Sequence, residues 1–371
     1  MVDKVVICSN KWLGKTIEYI DKKITEDGWD AGIFLWDGNI SKEEFEEGYT
    51  QLIETLNING VETIDIGEII SNNFEEFKRY VKDIEEGKNL QYISKIIKEN
   101  SILEILEKSE SLEEFLCSAK LPNPDYQEYK IPIGANVVFQ RDPIFTFKYK
   151  NKTYAIPLNM NSARKMDTVL TTFALQKIGA EIIEVDFDES DRAEGGDFLY
   201  DEYKDVVLIG TGPRTHEKSA RKVLKKLKKN FPELKIVLVL RKNYGDKITS
   251  KENMDLMHLD TYLGITPKCA VVYKDAVNFT VEIHEGNDIK YTKLIDFLKE
   301  TYRNVGIFGK EEQQNFEFNL AVFGKKAKVF CKEGKIADWL KEKGEYTIPV
   351  DMKALNTAYG GIHCATREVY D

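Results

Sequence analysis

Cys364 stands close to the end of this 371-residue chain, in the stretch Tyr359-Gly360-Gly361-Ile362-His363-Cys364-Ala365-Thr366. Far upstream lie three short carboxylate-bearing segments: Phe139-Gln140-Arg141-Asp142-Pro143, Glu194-Gly195-Gly196-Asp197 and Met257-His258-Leu259-Asp260-Thr261. A thiol, an imidazole and several carboxylates are the groups needed to attack the carbon of a cationic guanidinium. Cysteine is the best side-chain nucleophile near neutral pH, provided it is held as thiolate. Carboxylates packed around a thiol raise its pKa and make it a poor nucleophile. The set makes chemical sense only if a cation enters it: Asp142 and Asp260 can each bind a guanidinium edge through paired charge-assisted hydrogen bonds. The bound cation then favours the thiolate.

Each element also has a plainer explanation. Cys8, Cys117, Cys269 and Cys331 read as structural cysteines, and Cys364 differs from them through the glycine pair before it and the adjoining histidine. His363 cannot be assumed to face Cys364, because strand neighbours point to opposite faces. Asp142, at the end of the apolar run Val137-Val138-Phe139, could be a turn residue. His258 could be a core histidine. On a strand, its spacing of two from Asp260 would turn both side chains the same way, which suits a general acid/base. No His-x-x-x-His or Cys-x-x-Cys spacing accompanies these residues to argue for a metal.

The elements that must position these groups follow from the pattern of apolar residues. A helix is expected over 42–57, opened by a capping box of Ser41 and Glu44. The strand Val61 to Ile66 follows. From about 70 to 120 the spacing is helical throughout, with Phe74, Phe77, Val81 and Ile84 as one stripe and Ser111 with Glu114 as a further cap. From about 136 a unit repeats: hairpin, helix, strand. Its copies span 143–186, 194–240, 260–309 and 318–350. A last hairpin start at Gly360 lacks its own helix, and Val5-Val6-Ile7 could complete it. Repeats of this length suggest a circular array closed by joining the chain ends. The acids, His258 and Cys364 all stand at or beside hairpin starts, so such a ring gathers them at one end of a shared axis.

Composition narrows the classes. Hydrophobic residues make up 42% and charged residues 31%, a globular balance. No apolar run approaches the ~18 residues needed to span a bilayer, and the N-terminal stretch lacks the regions of a secretory signal. Five scattered cysteines form neither a disulfide framework nor a zinc pattern, which points to a reducing cytoplasm. A formal net charge of −10 argues against nucleic acid as a partner and mildly favours a cationic one. The basic run Arg221 to Lys229 reads as the solvated face of a helix, since Ala220, Val223, Leu224, Leu227 and Phe231 follow helical spacing.

The four motifs, in this order, resemble those of arginine deiminases within the guanidino-modifying superfamily. Elements of the type F-x-R-D-P, E-G-G-D, M-H-L-D-T and G-G-x-H-C are matched by Phe139–Pro143, Glu194–Asp197, Met257–Thr261 and Gly360–Cys364. The resemblance spans roughly residues 40–371. It implies an α/β fold, a five-bladed pseudo-symmetric α/β propeller (pentein). Residues 1–371 would form a single catalytic domain with an all-helical insertion at about 70–122. It implies Cys364 as nucleophile and His258 as general acid/base. Asp142, Asp260 and Glu194 would hold the guanidinium and hydrogen-bond His258, with Asp197 in support. Asn136 and Phe139 match substrate-contacting positions, and Arg164 and Arg214 match arginines that hold a substrate carboxylate. The implied reaction is hydrolysis of L-arginine to L-citrulline and ammonia through a covalent amidino-cysteine, with no cofactor or metal. A small guanidino compound would be the partner, no membrane is involved, and a homo-oligomer is left open.

The chain departs from that family pattern at three places. Tyr359 stands where an arginine is common, Ile362 where a third glycine is usual, and Cys8-Ser9-Asn10 where His-Arg-Pro is common. These leave the chemistry intact and put the distal end of the substrate in question. Amidino transfer to an amine, hydrolysis of another guanidino compound, and a non-catalytic binding propeller are the competing readings.

Overall fold

Val5, Val6 and Ile7 form an unbroken apolar run, as a strand covered on both faces requires. In the computed structural model, which describes residues 2–34, 41–123, 128–242 and 256–370, they lie in the strand Lys4–Ile7. This strand pairs antiparallel with Arg367–Val369 and parallel with Glu62–Asp65. The two ends of the chain therefore share one sheet, the pairing expected for the incomplete fifth unit.

The same arrangement, an antiparallel pair whose second strand takes a parallel neighbour, recurs in four further sheets. Ile144–Tyr149 and Lys152–Pro157 are joined by Glu181–Ile182. Phe198–Asp201 and Val206–Gly210 are joined by Lys235–Leu240. Leu263–Ile265 and Cys269–Tyr273 are joined by Asn304–Phe308. Ala321–Phe323 and Lys328–Cys331 are joined by Thr347–Pro349. Helices Lys165–Lys177, Glu217–Asn230, Leu294–Thr301 and Lys335–Glu342 make the crossovers. The fold is mixed α/β. One feature departs from the expected unit: the hairpin Thr280–Glu285 with Asp288–Lys293 adds two strands to the edge formed by Lys235–Leu240.

Residues 66–118 contain five helices, from Ile66–Asn72 to Leu112–Ser118, and no strand. Phe77, Val81 and Ile84 are buried as their spacing requires, with Phe74 half-buried. The helix Lys42–Ile58 opens on the Ser41–Glu44 capping box. The helical segment covers Lys165–Lys177, with Phe77 edge-on to Phe173 at 5.2 Å between ring centroids. That helix is buried over eleven consecutive residues, Lys165 to Leu175. Two of its threonines are satisfied internally, Thr168 donating to the Leu158 carbonyl at 2.9 Å and Thr171 to Gln140 at 3.0 Å. Arg164 stands immediately before this helix, as its N-cap residue. Among the described residues no helix is long and apolar enough to cross a membrane.

Candidate active site

Five hairpin starts meet. Asp142 precedes Ile144–Tyr149, Glu194 precedes Phe198–Asp201, His258 and Asp260 precede Leu263–Ile265, Asn319 precedes Ala321–Phe323, and Cys364 precedes Arg367–Val369. Hydrogen bonds run from each start to the next and return to the first. The Gly195 amide donates to the Asp142 carbonyl (2.7 Å), and the Leu259 amide to Asp197 Oδ1 (2.9 Å). Asn319 Nδ2 donates to the Asp260 carbonyl (3.4 Å), and the His363 amide to Asn319 Oδ1 (2.9 Å). The Arg141 amide closes the circuit on the Cys364 carbonyl (3.0 Å). Two glycines permit this closeness: a Cβ on Gly196 would lie 2.5 Å from His258 Nδ1, and one on Gly361 would lie 2.5 Å from Asn319 Oδ1. Contacts that short do not occur, so any side chain there would push the starts apart.

Cys364 is buried, in the short helix Ile362–Ala365. Its Sγ lies 3.1 Å from Asn319 Nδ2 and 3.7 Å from Asp260 Oδ2. Burial pushes the thiol pKa well above its usual value, and the charges of Asp260 and Asp142 push the same way. Asn319 opposes them by donating to sulfur. This asparagine, fully buried, also accepts from the amides of His363 and Cys364. The sequence motifs do not single it out. The repeat could have: Asn319 is where the fourth unit begins, the one start to which no chemistry was assigned. Asn319→Ala is expected to leave two buried amides unsatisfied, a loss of about 1–3 kcal/mol in stability. It should also move the Cys364 thiol pKa further up, read from the pH dependence of iodoacetamide alkylation; an unchanged alkylation profile would rule out the sulfur contact.

His258 sits among carboxylates. Its Nε2 lies 3.0 Å from Glu194 Oε2 and its Nδ1 3.7 Å from Asp142 Oδ1. Burial alone would lower the imidazole pKa, but Asp142, Glu194 and Asp197 outweigh it and hold it at about 9. Burial acts on Glu194 in the opposite sense, and it too is outweighed: Arg214 at 3.2 Å, His258 and Arg164 keep this carboxyl far below its usual range. At neutral pH the resting pair is imidazolium and carboxylate.

Asp260 differs from the expectation. It lies within the helical turn Leu259–Thr261, which His258 caps, and the two do not share a strand, so the alternation argument does not apply. Asp260 Oδ2 is 2.7 Å from His363 Nδ1. Of the three acids expected to hydrogen-bond His258, Glu194 does so.

Arg164 and Arg214 both reach the cavity in front of Cys364, which Asn136, Phe139 and Tyr359 also line. Arg164 donates through Nη1 to Asp142 Oδ2 (2.6 Å), through Nε to Asp167 (2.9 Å) and through Nη2 to the carbonyls of Asn136 (3.1 Å) and Phe139 (3.3 Å). The cavity is narrow, ≈ 20 Å³, room for about one water. A guanidinium ligand on Asp142 would take a place that Arg164 now occupies. Asn136 is anchored by Nδ2 to the Phe34 carbonyl at 2.9 Å. Phe139 packs on Gly360, whose added Cβ would lie 2.2 Å from the ring. Tyr359 adopts a positive φ of 65° and meets Phe316 edge-on at 5.1 Å.

Three buried polar atoms around the sulfur have no hydrogen-bond partner among the described residues: Asp142 Oδ1, Asp260 Oδ1 and His258 Nδ1. Asp142, Glu194 and His258 also present donor atoms within 4.8 Å of one another, close enough to hold a metal ion. Arg164 on Asp142 and Arg214 on Glu194 already supply positive charge there, which disfavours a divalent cation and leaves a planar monocation the better match.

A sequence profile described as arginine deiminase matches residues 33–317. That segment carries Asp142, Glu194, His258 and Asp260, whereas Asn319 and Cys364 lie beyond it. Comparison with curated protein sequences gives no match. Similar solved structures include the N-terminal domain of ArgZ bound to product, an arginine dihydrolase from the ornithine–ammonia cycle in cyanobacteria. It is 15% identical with a TM-score of 0.47, covering 64% of this chain and 76% of that one. Another is DDAH from Pseudomonas aeruginosa, a mutant complexed with citrulline, 17% identical with a TM-score of 0.44, covering 63% and 76% respectively. With its profile matched over well more than half its length, the chain belongs to the arginine deiminase family.

Proposed function

We propose that this protein hydrolyses L-arginine to L-citrulline and ammonia through a covalent adduct on Cys364. The observation that carries the proposal is the group of partnerless atoms, Asp142 Oδ1, Asp260 Oδ1 and His258 Nδ1, buried around one sulfur. The two carboxylate oxygens complement the edges of a planar cation, and the protonated imidazole stands beside them as the proton donor. The circuit of hairpin starts supports a five-bladed α/β propeller formed as one domain, with residues about 70–122 as its helical insertion.

In the proposed reaction the guanidinium displaces Arg164 from Asp142. Its charge offsets Asp142 and Asp260, and the thiol proton leaves to solvent. The Cys364 thiolate forms a bond to the guanidinium carbon. His258, holding its proton at a pKa of about 9, gives it to one terminal nitrogen, and the carbon–nitrogen bond breaks to release ammonia. The thiouronium on sulfur then takes water, whose proton passes to the now neutral His258. The carbon–sulfur bond breaks as the remaining hydroxyl proton of the tetrahedral centre passes to the departing sulfur, and free thiol and ureido product separate. Arg214, beside Tyr359 at the cavity, is the group best placed for the substrate's α-carboxylate.

A second reading has its own observation. Arg164 spends its donors on protein acceptors, and Tyr359 replaces a common arginine, so a guanidino compound without an α-carboxylate is the alternative substrate. Ammonia and ureido-product release from arginine, agmatine and guanidinobutyrate decides between them. Arginine is expected to give the highest kcat/KM. Agmatine ahead of arginine would remove the carboxylate role from Arg164 and Arg214, and no release from any of the three would end the hydrolytic proposal.

A further inference from the structure

A second cavity approaches the reaction centre from behind. It shares no lining residue with the cavity in front of Cys364. Its wall includes the buried Asp260 and His363 as well as Tyr203, which is 39% exposed, so it reaches from the interior to the surface. The hydrogen-bonded pair Asp260–His363 (2.7 Å) stands between this cavity and the sulfur, since the same Asp260 Oδ2 lies 3.7 Å from Cys364 Sγ. Adjacent residues of one short helix thus serve two cavities, Cys364 the front and His363 the rear. The rear volume is ≈ 60 Å³, enough for a few waters.

The proposed chemistry creates a need for such a route. Between the half-reactions the whole substrate skeleton remains bonded to sulfur and fills the front cavity. In that interval one molecule of ammonia must leave and one of water must arrive. We propose that the rear cavity carries this exchange: water inward and neutral ammonia outward past Asp260 and His363. This rests on the hydrolytic reading above. The wall suits neutral, polar cargo, because several of its acids are engaged: Glu368 in a two-bonded pair with Arg141 (2.6 and 2.7 Å), Asp201 with the Tyr302 hydroxyl (2.8 Å) and Asp260 through Oδ2 with His363 (2.7 Å). Ammonia formed by proton transfer from His258 leaves neutral and takes up its proton outside.

Val322 and Ile265 are half-buried on this wall and lie outside the catalytic cluster. Val322→Trp and Ile265→Trp should obstruct the passage and leave the front untouched. With arginine labelled at the guanidino carbon, rapid quenching is expected to show labelled Cys364 accumulating in both variants while turnover falls about ten-fold or more, exchange having become limiting. Adduct that forms and turns over unchanged in both variants overturns the route alone. Labelling and turnover that fall in parallel also overturn it, since the front half-reaction is then what was damaged. Wild-type protein that forms no labelled adduct overturns the hydrolytic reading and the route together. A measurement on wild type guards against variants that fail to fold. Hydroxylamine, small enough for the rear cavity, should intercept the adduct, and benzylamine should not; equal interception by both would show that nucleophiles enter from the front.

Discussion

Cys364→Ala is expected to abolish turnover of any guanidino substrate, by about 10⁴- to 10⁶-fold in kcat, the range seen when a covalent nucleophile is deleted. The physical case is that, among the described residues, no other cysteine and no serine or threonine lines the cavity in front of Cys364, and the other cysteines are distributed through the fold, with Cys8, Cys269 and Cys331 buried in its core. The change should cost little stability, because alanine fits where the larger side chain stood and its amide keeps its bond to Asn319 Oδ1. Guanidinium binding should survive, since Asp142 and Asp260 are unaltered. The test is threefold: ammonia release, circular dichroism, and equilibrium binding of arginine to the variant. Retention of more than about one-tenth of wild-type turnover would show that the reaction does not pass through this sulfur.

His258→Asn should reduce kcat by about 10²- to 10⁴-fold, the usual span for general acid–base catalysis. It should impair both half-reactions, because the same ring gives a proton to ammonia and later takes one from water. The pH profile carries a sharper expectation. The folded-state pKa is raised from the ordinary 6.5 to about 9, so the catalytic acid is present below about 9 and is lost as pH rises through that value. By the same linkage, the stability His258 gains from its carboxylate neighbours is complete below pH 6.5 and disappears as pH passes 9. Glu194→Gln removes one of the groups that raise this pKa, so the alkaline limb of kcat/KM should move to lower pH. An alkaline limb that stays in place in this variant would mean that it reports another group, and His258 would lose the role of acid.

Much of this was legible in the chain itself. The apolar run Val5 to Ile7 was the segment expected to complete the unit opening at Gly360, as it does by pairing with Arg367–Val369, and the hairpin–helix–strand rhythm from 143 onward foretold the other four paired units. Motif order named Cys364, His258, Asp142, Glu194 and Asp260, and the structure gathers them. The extra hairpin was missed although it carries a signal: Gly286-Asn287 between runs of alternating residues is a two-residue turn sequence, and Gly286 adopts the positive φ of 57° such a turn needs. Its exposed strand, with Ile289 and Tyr291 half or more exposed, lacks the apolar weight by which strands are usually noticed.

Residue types and their order were enough to state the chemistry, because a thiol, an imidazole and a set of acids have few joint uses. Which atoms pair was decided only by the tertiary structure. Asp260 bonds His363 and not His258, Arg164 lies on Asp142, and Asn319, unremarkable in one dimension, holds the sulfur and two amides. Such pairings depend on distances between residues far apart in the chain, as in Arg141 with Glu368, 227 positions apart. Periodicity reports which way a side chain points along its own element. It carries no information about what stands opposite once five separate hairpin starts converge.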